Sequence, residues 1–337
     1  MGRLACAIVL AVAMARAAAT APVLDSADFA LDSFRRGRFG ELDATLDRLA
    51  NDDVRMNTGE RATDVLIARL GQMLSADETL LPQLERWRLA SKRRPWAELS
   101  QATREQSLAW RARGGGYAGS VPADAWLAFY AHLESAEAAL ARALKIAPGA
   151  REPLAARVLL ALYRGLPAEE IAARFNEAVR VDPVSPKAHD AMFLALTPRW
   201  HGAHDMLLAF AREVAHREPD DPYLALLVVR AHQEVVSSDW SAEQKYYRAP
   251  NVWAEVSGAL EKFLASYPDS SYGHNLLARL ALLGGQREVL RRELAWIGEA
   301  SDMGVWRDQG EFMRARTWAV FGPMKHPAAS PPAAQTP

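Results

Sequence analysis

From about Leu140 to Ser270 one short phrase returns four times. It reads A-L-A-R-A-L-K-I-A-P ending at Pro148, R-F-N-E-A-V-R-V-D-P ending at Pro183, F-A-R-E-V-A-H-R-E-P ending at Pro219, and L-E-K-F-L-A-S-Y-P ending at Pro268. The closing prolines lie 35, 36 and 49 residues apart. In each phrase apolar residues recur at helical spacing, and proline, which lacks an amide hydrogen and fixes its own φ, closes the run. A period in the mid-thirties built this way marks helical hairpins that bury their apolar faces on one another.

The neighbouring segments fit this frame. The spacing predicts a helix over 153–164 paired with 167–181 across Gly165-Leu166-Pro167, and one over 186–197 paired with 203–217 across Pro198-Arg199-Trp200-His201-Gly202. A helix over 221–236 is expected to pair with 250–266, and 272–283 with 286–297 across Gly284-Gly285, with 303–319 as a cap. The third hairpin carries an insertion, 237–250, polar and aromatic, and long irregular loops of this kind are often functional. Before the hairpins, Pro122 opens a long helix whose Trp126, Phe129, Tyr130, Leu133, Leu140 and Leu144 should form one buried stripe.

Toward the N-terminus, residues 25–50 read as a hairpin turned at Gly37 and closed by Phe39, followed by helices over Thr63–Leu74 and Asp77–Ala90. Gly114-Gly115-Gly116-Tyr117-Ala118-Gly119-Ser120 looks like a phosphate loop, but Ser120 stands where the lysine is needed and no strand precedes it. It reads as a helix stop and hinge. The expected organisation is an irregular helical region over 24–121, helical repeats over 122–320, and a Pro- and Ala-rich disordered tail over 321–337.

Half of the 337 residues are hydrophobic, and alanine, leucine, arginine and glutamate dominate. That composition supports a sizeable core and favours an all-α fold. Arg3, the apolar run Leu4–Ala15 and Ala17-Ala18-Ala19 have the layout of a signal peptide over 1–19, with an uncleaved anchor as the competing reading. Cleavage after Ala19 would remove Cys6, the chain's one cysteine, and with it any disulfide or thiolate site. The expected product is periplasmic or secreted, and no later apolar run is long enough to span a membrane.

The four phrases resemble the tetratricopeptide family. Its repeats place a large residue eight before, and a small one five before, the closing proline: here Leu140 and Ala143, Phe175 and Ala178, Ala211 and Val214, Leu260 and Phe263. The second pair fits best, and the last two depart at the small position. A-W-R-A-R-G at Ala109 to Gly114 and L-T-P-R-W-H-G at Leu196 to Gly202 are similar to signatures of a bacterial family of unknown function with tetratricopeptide-like helices. The resemblance implies a tetratricopeptide-like α-solenoid and no activity. It also implies that the residues four, seven and eleven after each closing proline line a concave groove. These are Glu152, Ala155 and Leu159; Lys187, Asp190 and Leu194; Tyr223, Leu226 and Arg230; and Tyr272, Asn275 and Arg279.

Tyrosine and arginine are frequent interface anchors, and arginine grips a carboxylate with two hydrogen bonds. The expectation is therefore a non-catalytic scaffold that binds a protein or peptide through Lys187, Asp190, Tyr223, Arg230, Tyr272, Asn275 and Arg279. Trp240 and Tyr246 of the insertion would close over the groove edge. Two alternatives remain open. The segment 86–113 holds eight Lys/Arg against two acids, with Trp87, Trp96 and Trp110 among them, and such a face can bind anionic envelope material. His201, His204 and Asp205 could form a metal or hydrolytic cluster. The sequence shows no G-x-S-x-G elbow, no H-E-x-x-H and no complete phosphate loop, so no enzyme, cofactor or nucleic-acid partner is expected.

Overall fold

The computed structural model describes residues 28–200, 202–217, 219–236 and 240–322. The signal segment expected over 1–19 and nearly all of the tail expected over 321–337 lie outside them. Among the described residues the chain is all-α, and extended pairing is confined to one isolated bridge between Arg55 and Arg61. The chain divides between Glu234 and Val235 into two compact units.

The first unit begins with α1 (28–35) and α2 (Phe39–Asn51). Gly37, at φ +72°, takes the left-handed conformation that the turn between them requires. Phe39 is buried at that turn, and the Phe34 ring meets Trp87 of α4 (Leu81–Ala90) edge-on at 5.8 Å. Trp87 is fully buried, and its indole N–H donates to Asp43 Oδ1 at 2.9 Å, so its polar end is satisfied as well as its apolar body. The segment from Asp77 starts as a 3₁₀ turn over Glu78–Leu80 before α4. α3 (Ala62–Ala76) packs on α5 (Trp96–Arg113), which stops at Gly114, φ +73°.

Pro122 then caps the 24-residue α6 (Ala123–Ile146), which packs along α5. Its buried stripe is Phe129, Leu133, Ala136, Ala139, Leu140 and Ala143. Tyr130 departs from the expected stripe: it is 49% exposed and stacks on Trp126 from outside. The stripe is narrow because alanines fill its C-terminal half, which leaves the flanking aromatics at its rim.

α7 (Arg151–Tyr163) and α8 (Ala168–Val181) pair across Gly165, and α9 (Pro186–Ala195) packs on both. α10 (His204–Ala215) and α11 (Pro222–Val235) complete the unit. Between α9 and α10, Gly202 donates its amide to Thr197 O at 3.3 Å. A Cβ there would stand 1.9 Å from Leu196 O and 2.3 Å from Leu196 C. Both are backbone atoms, so the Leu196–Gly202 turn closes on itself only with glycine at its end.

The loop 52–61 ties these helices together. Asp53, at φ +47°, receives Arg61 Nε at 2.7 Å, Arg55 Nε at 3.0 Å and Arg151 Nη2 at 3.3 Å. Arg61 also grips Asp182 with both terminal nitrogens, one at 3.0 Å, and Arg55 Nη2 reaches Asp221 at 2.8 Å. Asp182 ends α8 and Asp221 precedes α11, so two loop arginines hold the ends of two helices far along the chain. Burial disfavours the Arg61 charge, but its carboxylate partners outweigh that and hold the guanidinium protonated. Burial likewise pushes the Asp53 carboxyl up, yet the three arginines hold it below the usual range.

In the second unit the insertion is a helix, α12 (Trp240–Tyr247), where an irregular loop was expected. Tyr247 is 1% exposed, and α12 packs on α14 (Ser271–Gly284), which gives the segment an apolar anchor. Residues 237–239 lie outside the described residues. α13 (Pro250–Ser266) and α15 (Arg287–Ile297) each pack on α14. The expected 303–319 helix begins later, as α16 (Gln309–Phe321), because Asp308 caps it and accepts the Glu311 amide at 2.7 Å.

Two outcomes follow from this packing. Arg61→Ala leaves Asp182 buried without its cation and should destabilise the protein by roughly 3–5 kcal/mol, read from equilibrium denaturation. Gly202→Ala should cost about 1–3 kcal/mol through the clash with Leu196, and an unchanged melting temperature would show that the turn opens freely.

Candidate functional site

The first unit contains an open cavity of about 580 Å³. One wall is α3 and the residues just before it: Glu60, Arg61, Asp64, Val65, Ala68, Arg69 and Gln72. The other comes from α7 (Leu159, Tyr163), α9 (Pro186, Lys187, Asp190, Ala191, Leu194) and Arg230 of α11. Helical spacing produces the second wall. Lys187, Asp190, Ala191 and Leu194 lie three or four apart and therefore share one face of α9.

Both signs of charge meet here. Arg230 binds Asp190 and lies over the Phe193 ring at 4.7 Å. The Tyr223 hydroxyl donates to the other Asp190 oxygen at 2.6 Å. Burial, and then the Asp190 charge, push the Tyr223 hydroxyl well above its ordinary pKa, so it stays a donor. Lys187 Nζ stands 3.6 Å from Asp64 Oδ1, an ion pair longer than a hydrogen bond, and that oxygen is buried without a hydrogen-bond partner. Arg69 pairs weakly with the exposed Asp28 at 3.8 Å. The Tyr163 ring meets Trp110 edge-on at 5.0 Å, and burial raises its hydroxyl pKa.

The structure thus brings together Lys187, Asp190 and Arg230, and of the wider set Leu159 and Leu194. Tyr223 is 8% exposed and braces Asp190 from behind rather than facing a ligand. Glu152 and Ala155 are buried.

The expected residues of the second unit are placed differently. Asn275 is 0% exposed, a correction to its expected place in a groove. Its side-chain oxygen accepts from Trp306 Nε1 at 2.8 Å and the Asp302 amide at 3.1 Å, and its NH₂ donates to Ser271 O at 2.9 Å. Arg279 is likewise internal, with Nε 3.1 Å from Glu311 and Nη2 3.4 Å from Glu243. Both glutamates are themselves buried, so the carboxylates this arginine grips belong to its own chain. Tyr272 is half-buried. Trp240 is half-buried under the Arg307 and Arg314 guanidinium groups, and Tyr246 meets Tyr247 edge-on at 5.4 Å.

In the basic 86–113 segment Arg104 is buried, while Arg86, Lys92, Arg93, Arg94 and Arg111 are exposed, and most of its arginines have partners within the chain. Arg88 binds Glu85 and Glu98, Arg94 binds Asp47, and Arg104 binds Glu105 and Leu74 O. Arg86 binds Gln83, Arg111 binds Ser75 O, and Arg113 binds Gly114 O and Gly116 O. Trp87 and Trp96 are core residues. His204 and Asp205 are exposed at the start of α10, and His201 lies outside the described residues.

The α3 wall was missed from the sequence. Its cavity-facing residues are mostly polar and lie outside the four repeat phrases, and no local pattern says which helix lies opposite α9.

Residues 30–168 match the family model of a domain of unknown function (DUF4034). The match takes in the α3 wall and α7, while α9 and α11 fall beyond it. No curated protein matches the chain.

Arg279→Ala should act on stability rather than on a binding face. Leaving Glu311 buried without its cation, while Glu243 keeps Arg307, is expected to cost roughly 3–5 kcal/mol, measured as a shift of the denaturation midpoint. A shift near zero would return Arg279 to the list of free groove residues.

Proposed function

We propose that the protein is a tetratricopeptide-like helical-repeat scaffold of the bacterial envelope that binds a peptide segment and catalyses no reaction. The single observation that carries this reading is the cavity between α3 and α9. Five of the residues singled out by the repeat spacing, Leu159, Lys187, Asp190, Leu194 and Arg230, line one open space. Its mixture is that of a recognition surface: apolar patches at Leu159, Leu194 and Val65 between separated charges of both signs. A peptide could lay apolar side chains against the leucines and offer its charges to Arg69 and Glu60 at the rim. Support for export is the sequence layout of Arg3, Leu4–Ala15 and Ala17-Ala18-Ala19.

The test is a peptide-display selection against the full chain, followed by fluorescence anisotropy with the enriched peptides. Ala68 is exposed on the α3 wall, so Ala68→Trp fills the cavity without disturbing the core. It should weaken capture at least tenfold with an unchanged melting temperature. Equal affinity, or no enriched peptide, would refute the assignment.

A further inference from the structure

The second unit has a cavity of its own, of about 420 Å³, formed by α12, α14 and α16. Its body is apolar: Trp240 and Trp318, with Leu282 and Met313. Two cations, Arg248 and Arg314, stand in its lining, and no carboxylate does.

The charge pattern is unlike the rest of the unit. Arg279 holds two glutamates, Arg292 binds Glu293, Arg307 binds Glu243, and Arg316 binds Glu299 with two hydrogen bonds. Arg291 pairs with Glu288, and Arg287 donates to two carbonyls at the end of α16. Among the described residues, Arg248 and Arg314 are the two arginines of this unit whose guanidinium groups have neither a carboxylate nor a hydrogen-bond acceptor. Both are in this one cavity. Arg314 lies over the Trp240 ring at 5.7 Å, which aligns its planar fork while leaving its N–H edge unused. A Cβ on Gly310 would sit 3.3 Å from Arg314 Nη1 and 3.0 Å from Asp308 Oδ1, and one on Gly285 3.7 Å from Arg248 Nε, so each guanidinium group lies beside a glycine.

From this we infer that the second unit binds a small apolar carboxylate, with Arg248 and Arg314 as ligands of the anionic head and the two tryptophans enclosing the apolar body. The volume suits a small molecule, and pockets of this kind use few polar groups to orient an apolar ligand. Arg248 and Arg314 are exposed at the mouth of this apolar cavity, where two guanidinium groups favour an anion over cations and neutral groups, because an arginine–carboxylate pair is both charged and bidentate. The lining has only Gln244 and Thr317 to meet a peptide backbone, which favours a free acid over a peptide end. This inference stands apart from the peptide reading of the first unit.

The test is isothermal titration of the full chain with octanoate, octan-1-ol and octylammonium. Octanoate should bind saturably at one site, at least tenfold more tightly than either of the others. The double variant Arg248→Gln/Arg314→Gln should lose that preference. Met313 is 48% exposed, so Met313→Glu places a carboxylate in the lining without touching the core and should abolish octanoate binding. Ala68→Trp, in the other cavity, should leave it unchanged. The inference is overturned if octan-1-ol binds as well as octanoate, if both sets of variants bind normally, or if Ala68→Trp removes the binding. Tighter capture of N-acetyl-leucyl-leucine than of octanoate would overturn the free-acid assignment.

Discussion

Arg61 is the contact on which the first unit turns. A guanidinium with 3% of its surface exposed must be matched by carboxylates in fixed positions, since a buried unpaired charge costs several kcal/mol. Asp53 and Asp182 supply them, and Asp53 does so from a left-handed backbone position that aspartate tolerates better than most residues. Arg55 and Asp221 repeat the device at the start of α11. The α3 end and the α8 end are thereby brought into register, and the space left between α3 and α9 is the cavity. The candidate site is a by-product of where these ion pairs set the helices.

The second unit solves a similar problem around Arg279, which two glutamates enclose. Pairing within the chain recurs along the basic 86–113 segment, where Arg88 binds Glu98, Arg94 binds Asp47 and Arg104 binds Glu105.

Much of the fold was legible in local pattern. Glycine at the turns, proline at the helix starts and the three-to-four spacing of apolar residues all act within a few residues, so they can be read without knowing the partners. The α1–α2 turn at Gly37, the stop at Gly114, the Pro122 start and the α7–α8 and α14–α15 pairs come from such signals. Insertion 237–250 was less legible. Its polar and aromatic residues carry no clear period, and α12 exists because Tyr247 finds a buried place against α14, a contact that sequence distance conceals. Of the candidate site, the α9 face was readable because Lys187, Asp190 and Leu194 recur at helical spacing. The α3 wall was not.

By itself, then, the sequence determined an all-helical chain, the positions of most helix boundaries and the residues that share the exposed face of α9. Tertiary structure alone decided which charges remain available. Arg279 and Asn275 follow the same repeat spacing as Arg230, yet their polar groups are taken up by Glu243, Glu311, Trp306 and Asp302, residues that lie about thirty positions away in the chain. The physical reason is range. Helix formation is settled by neighbours one turn away, whereas the fate of a charge depends on whatever carboxylate the folded chain brings within hydrogen-bonding distance.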